Sequence, residues 1–442
     1  MLYKLLFKKI ELWIVLLLTI CFLVTSVLFG SVVRHVAKGG VLLGTIGNVA
    51  EIIAKFPGRV IILFNSNSTE ISPQIFESKS LKGLQIYNQE QTDNEKGYLL
   101  VSSYNAEGSY VFLFDPKNNK ILHKWKAPLS EVYKLAPGYI DGINTSRYYR
   151  SQHPLLFENG DLVFSSGDGP MLRLSQCNNI KWINSDRFHH SIHLDKKNNY
   201  IYAVKTFKRN NKNKYFFEDG FSIINAENGK TVKEFSISKI LLKSKDNLGL
   251  IYGVGDFEKD RYHLNSVKPI MESDNFFKKD DLVLSVRNLS TIFVYRPSTN
   301  EIIWQKIGPW INQHDARYLG DGNFSVFSNN IIRGLPQQLE FILDHSDVYF
   351  YDMKNNQISR PYKNIMKNSK QRSGGIYNPI FDNGGIMELH SDAKFLRVSK
   401  EHGIIWSYEN YLGNSKKGNI NWSRYILKDE INLEVFKNKC KT

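Results

Sequence analysis

The feature that most constrains the fold is a strand pattern that recurs six times. Each copy begins at a glycine or polar turn, runs through an alternating apolar segment ending near serine, and continues with two more such segments. Apolar residues alternate at period two and Asn, Asp and Gly separate the runs, which is typical of antiparallel strands. The copies cover residues 97–125, 160–182, 199–235, 281–304, 322–358 and 384–406, the third and the fifth being interrupted by insertions.

These copies predict an all-β fold, a six-bladed β-propeller preceded by an N-terminal transmembrane helix. The copies start roughly 40 to 80 residues apart, and each accounts for four short strands, the size of one propeller blade. We expect the Trp or Phe that closes most copies to pack between neighbouring sheets. The segment Asn421 to Ile426 is expected to pair with the earliest strand and close the ring. A pair of β-sandwiches is the alternative, but a sandwich does not require one strand pattern six times.

The amino terminus predicts a membrane anchor. Leu12 to Val33 is 22 residues long without a charged side chain, enough for a helix to cross the hydrocarbon core of a bilayer. Lys4, Lys8 and Lys9 precede it, which favours an N-inside, C-outside orientation. A cleaved signal peptide is the competing interpretation, although its apolar core would be shorter than this run.

The domain boundaries follow from these segments. Residues 1–34 are predicted to form the anchor, residues 35–71 a juxtamembrane helical or linker segment, and residues 72–442 the propeller. Within the linker, Val36 to Phe56 is predicted to be helical and to end at Phe56-Pro57-Gly58, with strand character from about Val60 onward.

Composition narrows the class of protein. The net charge is +15 and 13% of the residues are aromatic, which excludes a disordered chain and suits an anionic small substrate or a solvated basic surface. Nucleic-acid binding is disfavoured, because no helix-turn-helix, finger or RNP pattern is present. The three cysteines, Cys21, Cys177 and Cys440, are far apart, which excludes a disulfide scaffold and a CxxC module.

Histidines recur at similar positions ahead of the repeat copies. His314 and His190 each stand nine residues before an asparagine that opens an apolar run, and His153 is one residue short of that spacing. His263 begins the corresponding segment before the fourth copy. In a propeller this segment lies nearest the central axis, so these imidazoles should meet at one mouth of the channel. A lone histidine is more often structural, but several at matching positions favour a site.

Arg287 and Asn265 fall in the same predicted region. Imidazole, guanidinium and amide groups without a carboxylate suit an oxyanion, since neutral imidazole is a nucleophile and N–H donors stabilise developing negative charge on oxygens. Metal binding is the alternative chemistry, because three histidines can hold zinc. Arg287 would repel a dication, so no metal and no cofactor are expected.

At these residues the chain resembles the bacterial arylsulfate sulfotransferase (arylsulfotransferase) family. The matching stretches are FHHSIHLDKKNN, HLNSV, DDLVLSVRNLSTIFVYRPSTNEIIW and QHDARYLGDGN, in the family's order, from about Phe188 to Asn323. The resemblance implies a six-bladed propeller, exported across the inner membrane, that moves a sulfuryl group from an aryl sulfate ester to a phenolic acceptor without PAPS. It also implies a sulfohistidine intermediate and ping-pong kinetics.

The resemblance also implies roles for single residues. His314 of QHDA would be the nucleophile. His263 and Asn265 of HLNSV, with Arg287 of SVRNLS, would bind and polarise the sulfuryl oxygens. His190 of FHHS would complete the cage or protonate the departing phenolate, with His189 as the alternative within the doublet.

Two differences from the family, an expected location and an alternative function complete the prediction. Ser191 stands where family enzymes often carry an acidic residue, and the near-neighbour cysteine pair of some secreted members is missing. The expected location is the inner membrane, by a single pass through residues 12–33, with the propeller on the periplasmic side. The alternative function is a non-catalytic envelope propeller that acts as a scaffold or binding module.

Overall fold

The computed structural model describes most of the chain, which divides into two compact units. Residues 1–70, 209–217 and 256–260 form the first unit and the remaining residues the second. The described residues are 11–37, 43–66, 74–78, 83–136, 149–207, 218–244, 249–250, 260–333, 339–341, 345–380, 384–437 and 440.

The described part of the first unit is helical. Helix α1 spans Leu12–Ala37 and helix α2 spans Gly44–Ser66. Residues Leu12–Val36 are long and apolar enough to cross a membrane, and their large apolar side chains are mostly exposed. Exposed apolar surface of this kind suits lipid rather than water. Lys4, Lys8 and Lys9 lie outside the described residues, so the orientation of the span stays a prediction.

The predicted end of the second helix is wrong. Helix α2 continues through Pro57 to Ser66, and the first strand begins only at Ile75. Proline removes one backbone donor and clashes with the carbonyl four residues earlier, here that of Ile53, which kinks a helix without necessarily ending it. The apolar residues from Val60 onward continue the helix in place of the predicted strand.

The second unit is built from short antiparallel strands. They are β1 (Ile75–Glu77), β2 (Leu84–Ile86), β3 (Gly97–Asn105), β4 (Gly108–Asp115), β5 (Lys120–Trp125), β6 (Gln152–Leu156), β7 (Leu162–Ser165), β8 (Gly169–Leu174), β9 (Ile180–Asp195), β10 (Tyr200–Thr206), β11 (Asp219–Asn225), β12 (Thr231–Ser236), β13 (Leu264–Pro269), β14 (Leu282–Val286), β15 (Thr291–Arg296), β16 (Glu301–Ile307), β17 (Gln313–Gly320), β18 (Asn323–Ser328), β19 (Ile331–Arg333), β20 (Leu339–Phe341), β21 (Asp347–Asp352), β22 (Gln357–Ser359), β23 (Ile376–Ile380), β24 (Gly384–Leu389), β25 (Lys394–Ser399), β26 (Gly403–Tyr408), β27 (Asn410–Gly413), β28 (Lys416–Gly418) and β29 (Arg424–Leu427).

Short helical segments connect these strands. They are α3 (Gln89–Asp93), α4 (Leu129–Leu135), α5 (Ile237–Lys243) and α6 (Lys363–Met366), with single 3-10 turns at Arg287–Leu289, His390–Asp392, Lys428–Glu430 and Leu433–Phe436.

The sheets follow the repeat copies. Strands β13 to β16 form one four-stranded sheet, and β17, β18, β21 and β22 form another. Strands β23 to β26 are joined at one edge by β2. Strands β6 to β12 form a continuous seven-stranded sheet, because the long strand β9 pairs with β8 through its first part and with β10 through its second. The all-β class is confirmed for the second unit, and six blades around one axis stay a prediction.

The last strand pairs with the first repeat copy, as predicted. Strand β29 is antiparallel to β3, with Arg424 opposite Leu100 and Leu427 opposite Gly97. A Cβ atom at Gly97 would lie 2.2 Å from the Tyr425 ring, so this close approach requires glycine. The four-stranded sheet β29-β3-β4-β5 therefore joins strands from opposite ends of the second unit.

The aromatic residues that close the repeat copies lie in the core, as predicted. Trp125 packs with Phe164 and Leu172 of another sheet, and Trp406 packs with Phe112. Both indoles are almost completely buried. Truncating a buried residue of this size to alanine typically costs about 3–5 kcal/mol. These clusters therefore hold adjacent sheets together and fix the first strands, from which the candidate site is built.

The structure contains a disulfide that the sequence analysis did not anticipate. Cys177, in the turn between β8 and β9, is bonded to Cys440 across 263 residues of sequence. Cys21 in α1 is free and exposed. Sequence spacing carries no information about such a pair, because only the tertiary fold brings the two cysteines together. Disulfides persist mainly in oxidising compartments.

Candidate active site

Three of the predicted histidines meet in the second unit. His190 lies in β9, His263 immediately precedes β13, and His314 lies in β17. The ring centroids of His190 and His263 are 4.8 Å apart, and those of His190 and His314 are 6.1 Å apart. We refer to these three with His189 as the histidine cluster. The strands of three sheet regions therefore bring together imidazoles that are up to 124 residues apart in sequence.

The backbone shows that these histidines occupy two kinds of position. His153, His190 and His263 all have a left-handed backbone, with φ between 51° and 53°. In the next sheet the left-handed residue is Asn312, so His314 lies two positions further along. Pairing of Leu264 with Val286, and of Gln313 with Ser328, makes Asn265 the register equivalent of His314. His190 and His314 have equal spacing in the sequence but occupy different positions in strand register. The predicted equivalence of their positions is therefore wrong, although the two rings are neighbours.

Hydrogen bonds link His189, His190 and His263 into a row of imidazoles within the cluster. His189 Nδ1 lies 2.7 Å from His190 Nδ1, and His190 Nε2 lies 3.3 Å from His263 Nε2. At the far end, His189 Nε2 is 3.5 Å from the Asp219 carboxylate. Each short contact needs one nitrogen as donor and the other as acceptor, so the tautomers along the row are coupled. Both members of the doublet belong to the cluster, and His190 is the one that contacts His263.

Asn329 fixes the tautomer of His314. The Asn329 amide nitrogen donates to the backbone carbonyls of Gln371 and Gly374, each at 2.9 Å. Its oxygen must therefore face His314 Nδ1, which lies 2.6 Å away. Only a protonated Nδ1 can donate to that oxygen, so in the neutral ring the lone pair is on Nε2.

The environment keeps the central rings uncharged. Burial, followed by the Arg287 guanidinium, holds the pKa of His314 well below its usual value, although the Asn329 bond acts in the opposite direction. Burial and the neighbouring His263 likewise hold the pKa of His190 well below its usual range. Removing an imidazole from water and placing cations beside it both disfavour the protonated form. The surroundings of His314 therefore favour the uncharged imidazole.

Arg287 and Asn265 differ in how they relate to the rings. Arg287 is buried, opens a 3-10 turn after β14, and donates from Nε to Asn288 at 2.9 Å. Its charge acts on both His190 and His314. Asn265 donates to the backbone carbonyl of Gln313 at 2.8 Å, which ties β13 to the residue before His314. Its buried Oδ1 has no hydrogen-bond partner among the described residues.

Sequence reasoning missed His390 and Trp422 beside this cluster. His390 opens a 3-10 turn capped by a left-handed residue, the same local structure that carries Arg287. The Trp422 ring centroid lies 5.3 Å from His390, 5.2 Å from His153 and 5.5 Å from His190. Burial lowers the pKa of His390 to about 4. Aligning the residues that follow each second strand, rather than the histidines before it, would have found His390.

Two main-chain donors hold Trp422 in this position. The backbone N–H groups of Trp422 and Ser423 each donate to the Glu388 carboxyl group at 2.6 Å. Burial raises the pKa of Glu388 to about 7. Since Trp422 contacts three imidazoles, Glu388 positions one wall of the candidate site.

The hydrogen-bond partners of the imidazole nitrogens define what the cluster presents to a ligand. Among the residues that the structure describes, no group of three or more His, Cys, Asp or Glu side chains is arranged to hold a metal ion. The closest imidazole nitrogens instead pair with one another, with Asn329 or with Asp219. The arrangement presents a neutral nucleophile beside a guanidinium, which suits transfer of an anionic group.

Solved structures similar to this chain share little of its sequence. A protein of unknown function from Bacteroides caccae matches 75% of this chain and 99% of its own at 10% identity and a TM-score of 0.47. The periplasmic gluconolactonase of Pseudomonas aeruginosa matches 75% of this chain and 99% of its own at 10% identity and a TM-score of 0.42. Neither likeness indicates a function for this chain.

Sequence comparison is more specific. No curated protein sequence matches the chain. The family model described as Arylsulfotransferase (ASST) matches residues 153–411, more than half of the chain, and this range contains all members of the histidine cluster, Asn265 and Arg287. The chain belongs to the arylsulfotransferase family.

Proposed function

We propose that this chain transfers a sulfuryl group from an aryl sulfate ester to a phenolic acceptor through a sulfohistidine at His314. The observation that carries the proposal is the bond between His314 Nδ1 and Asn329, which leaves the Nε2 lone pair available in a buried, neutral ring. Membership of the arylsulfotransferase family supports the class of donor and acceptor.

In the first half-reaction, His314 Nε2 attacks the sulfur of the aryl sulfate. The new N–S bond forms as the S–O bond to the aryl group breaks, and the electron pair leaves with the phenolate oxygen. The ring becomes an N-sulfonated imidazolium, whose proton stays on Nδ1 and is donated to the Asn329 amide oxygen. Negative charge that builds on the sulfuryl oxygens would be stabilised by Arg287, a role in which one well-placed donor is worth about 10²–10³ in rate.

His263 and His190 would complete the cage around the sulfuryl group. His263 lies beside His190, and Asn265 holds β13 against β17 through the Gln313 carbonyl. Asn265 therefore acts in this proposal chiefly by positioning His263 and His314, with one amide N–H left to contact a sulfuryl oxygen.

Proton movement would use the row of imidazoles that ends at Asp219. An extra proton on the row is stabilised at His189 by the Asp219 carboxylate, 3.5 Å away. The row gives this proton to the departing phenolate through His190 or His263, and regains it when the acceptor phenol is deprotonated. In the second half-reaction the acceptor oxygen attacks sulfur, the S–N bond breaks, and neutral His314 is restored. No proton is gained or lost over the full cycle.

We further propose that the sheets form a six-bladed propeller, anchored in the inner membrane by residues 12–33 with the propeller in the periplasm. The four-stranded repeats and the pairing of β29 with β3 support closure of the ring. The disulfide between Cys177 and Cys440 supports an oxidising compartment. The apolar span within α1 supports the anchor.

The test uses the detergent-solubilised full-length chain and 4-nitrophenyl sulfate with a phenol acceptor. We expect release of 4-nitrophenol that depends on the acceptor. Intact mass after donor alone should show one added sulfuryl group, and His314→Asn should abolish both the adduct and the transfer. His402→Asn, at an exposed histidine far along the sequence, is the matched control and should retain both.

Two results would overturn the proposal. An adduct that persists in His314→Asn would move the nucleophile elsewhere. Absence of both adduct and transfer in correctly folded chain, over a panel of aryl sulfates, would leave the scaffold function as the better explanation. Near-ultraviolet circular dichroism of each variant establishes that the fold is retained.

A further inference from the structure

A second polar cluster lies on the same strands, and the proposed reaction does not use it. It consists of Lys268 at the end of β13, Asp315 and Arg317 in β17, and Arg424 in β29, and we call it the charged cluster. Asp315 is 6% exposed at its side chain, Lys268 12% and Arg317 22%. Lys268, Arg317 and Arg424 are each half-buried, so three cationic side chains from three sheets are partly removed from solvent around one carboxylate.

Asp315 is shared by two of these cations. Lys268 Nζ forms a short ion pair with one carboxylate oxygen, and Arg317 Nε binds the other at 2.8 Å. Lys268 also donates to the Ala316 carbonyl at 3.2 Å, and Arg317 donates to Asn378. Burial alone would raise the pKa of Asp315, but Arg317 and Lys268 hold it well below its usual value. The single negative charge of Asp315 is therefore shared by the positive charges of Lys268 and Arg317.

Arg424 has no carboxylate partner. Its guanidinium donates to the backbone carbonyls of Pro154 and Ile192, and no Asp or Glu among the described residues lies within ion-pair distance of it. Those carbonyls satisfy some of its donors but do not neutralise its charge. A buried guanidinium cannot shed its proton as an imidazole can, so it needs a counter-charge.

The charge balance of the cluster is therefore incomplete. Among the described residues of the cluster three cations face one anion, and Asp315 is the carboxylate that acts on both Arg424 and Lys268. Burial and the Arg317 charge lower the pKa of Lys268 to about 7, and burial lowers that of Arg424 to about 9. Leaving a charge buried and unpaired typically costs several kcal/mol. A bound anion would remove most of that cost.

We infer that the charged cluster binds a small tetrahedral oxyanion, of the class of sulfate or phosphate, at a site separate from the histidine cluster. Lys268 has one N–H donor beyond those used on Asp315 and Ala316. Within the described part of the chain, Arg424 and Arg317 each keep an Nη1 group without a hydrogen-bond partner. Ammonium and guanidinium donors are the groups that bind such oxygens most strongly. This inference does not rest on the proposed function.

The first experiment measures the thermal midpoint of the full-length chain against sodium sulfate, with sodium chloride at equal ionic strength as the reference. We expect a saturable rise with sulfate beyond the chloride curve. His314→Asn should keep a saturable sulfate response, because His314 belongs to the other cluster, and adding Arg424→Gln to that variant should remove it. Arg187→Gln, at an arginine whose side chain is 53% exposed, is the matched charge control and should also keep it.

The shape of these curves separates ligand binding from a structural role. A merely structural Arg424 would lower the midpoint of Arg424→Gln by the same amount at every sulfate concentration. That parallel shift, or a sulfate response that the variant carrying both His314→Asn and Arg424→Gln retains, would overturn the inference. Repeating the titration with phosphate tests whether the site accepts tetrahedral oxyanions as a class. A response to chloride equal to that to sulfate would mean that the site is not selective for an oxyanion.

The second experiment needs no variant and covers the case in which Arg424→Gln fails to fold. Crystals of the full-length chain grown with sodium selenate would be examined by anomalous scattering at the selenium edge. We expect a peak within hydrogen-bond distance of Arg424 and Lys268, in addition to any peak at His314. A peak at His314 alone, or no peak near Arg424 at saturating selenate, would contradict the inference.

Discussion

The histidine cluster and the charged cluster share strands β13 and β17, and they accommodate burial in different ways. In the first, four imidazoles lie together with lowered pKa values at His190 and His314, and their nitrogens pair with one another, with the Asn329 amide or with the Asp219 carboxylate. In the second, Asp315 is held ionised by Lys268 and Arg317, while Arg424 keeps its charge beside two carbonyls.

This difference separates two uses of basic side chains. An imidazole can lose its proton at modest cost, so a group of them can be neutral, polar and nucleophilic in one place. A guanidinium stays charged, so its neighbourhood must supply a counter-ion or attract one. The same fold can therefore hold a reactive neutral site and a charge-binding site a few residues apart, by choice of side chain alone.

The largest expected effect is at Arg287, whose guanidinium acts on the histidine cluster. Arg287→Gln is expected to lower kcat/KM for aryl sulfate by about 10²–10³, because it removes both charge and donors from the developing oxyanion. Arg287→Lys should recover only part of this, since an ammonium lacks the planar fork. Steady-state kinetics with 4-nitrophenyl sulfate measures both variants. Full activity in Arg287→Gln would mean that the imidazoles alone stabilise the transferring group.

The next test is the pH dependence of stability. A histidine whose pKa is lowered by folding binds fewer protons than in the unfolded chain, so stability falls as pH drops below about 6.5, where the unfolded imidazole is protonated. His190, His314 and His390 all act in this direction, each by up to about 1.4 kcal/mol per pH unit. Glu388, whose pKa is raised to about 7, acts oppositely over pH 4.5 to 7, but it is one group against several.

We therefore expect the urea midpoint to fall steadily between pH 7 and pH 5. Chemical denaturation followed by tryptophan fluorescence measures it. His390→Gln should flatten the slope, because one buried imidazole is removed, while His402→Gln at an exposed position should leave it unchanged. A stability that is constant over this range would mean that the folded and unfolded chains gain the same number of protons on acidification.

The smallest expected effect concerns Asn329, the positioning residue for the His314 tautomer. Asn329→Ala should lower kcat by about tenfold, since the lost hydrogen bond is worth about 1 kcal/mol and both tautomers become accessible. The distinguishing measurement is the ¹⁵N spectrum of His314, which should show a protonated Nδ1 in the wild-type chain and a mixture in the variant. A lower kcat with an unchanged ¹⁵N spectrum would assign Asn329 a purely structural role.

The sequence predicted those features that depend on local periodicity. Alternating apolar runs located the strands, and the repeat copies placed His190, His263 and His314 on first strands that meet. The pairing of β29 with β3 followed from counting strands in the repeat. The strand pattern recurs six times, so one sequence contains several copies that can be compared with one another.

Features set by tertiary contacts were not predictable in this way. Asn329 matters because Gln371 and Gly374 orient its amide. Arg424 matters because it forms no ion pair with a carboxylate of the described residues and donates to two backbone carbonyls instead. The register of His314 depends on a strand irregularity between Gln313 and Asp315 that glycine spacing does not show. Helix α2 continues through Pro57 although a proline usually marks a boundary.

The disulfide between Cys177 and Cys440 has a practical consequence for handling the protein. It encloses most of the sheet strands in one covalent loop of the backbone. A protease that cuts once anywhere between these cysteines would leave both fragments tethered. On a gel, such a nicked sample would migrate as a single species until a thiol is added and then separate into two bands, so purity judged under non-reducing conditions alone would conceal the damage.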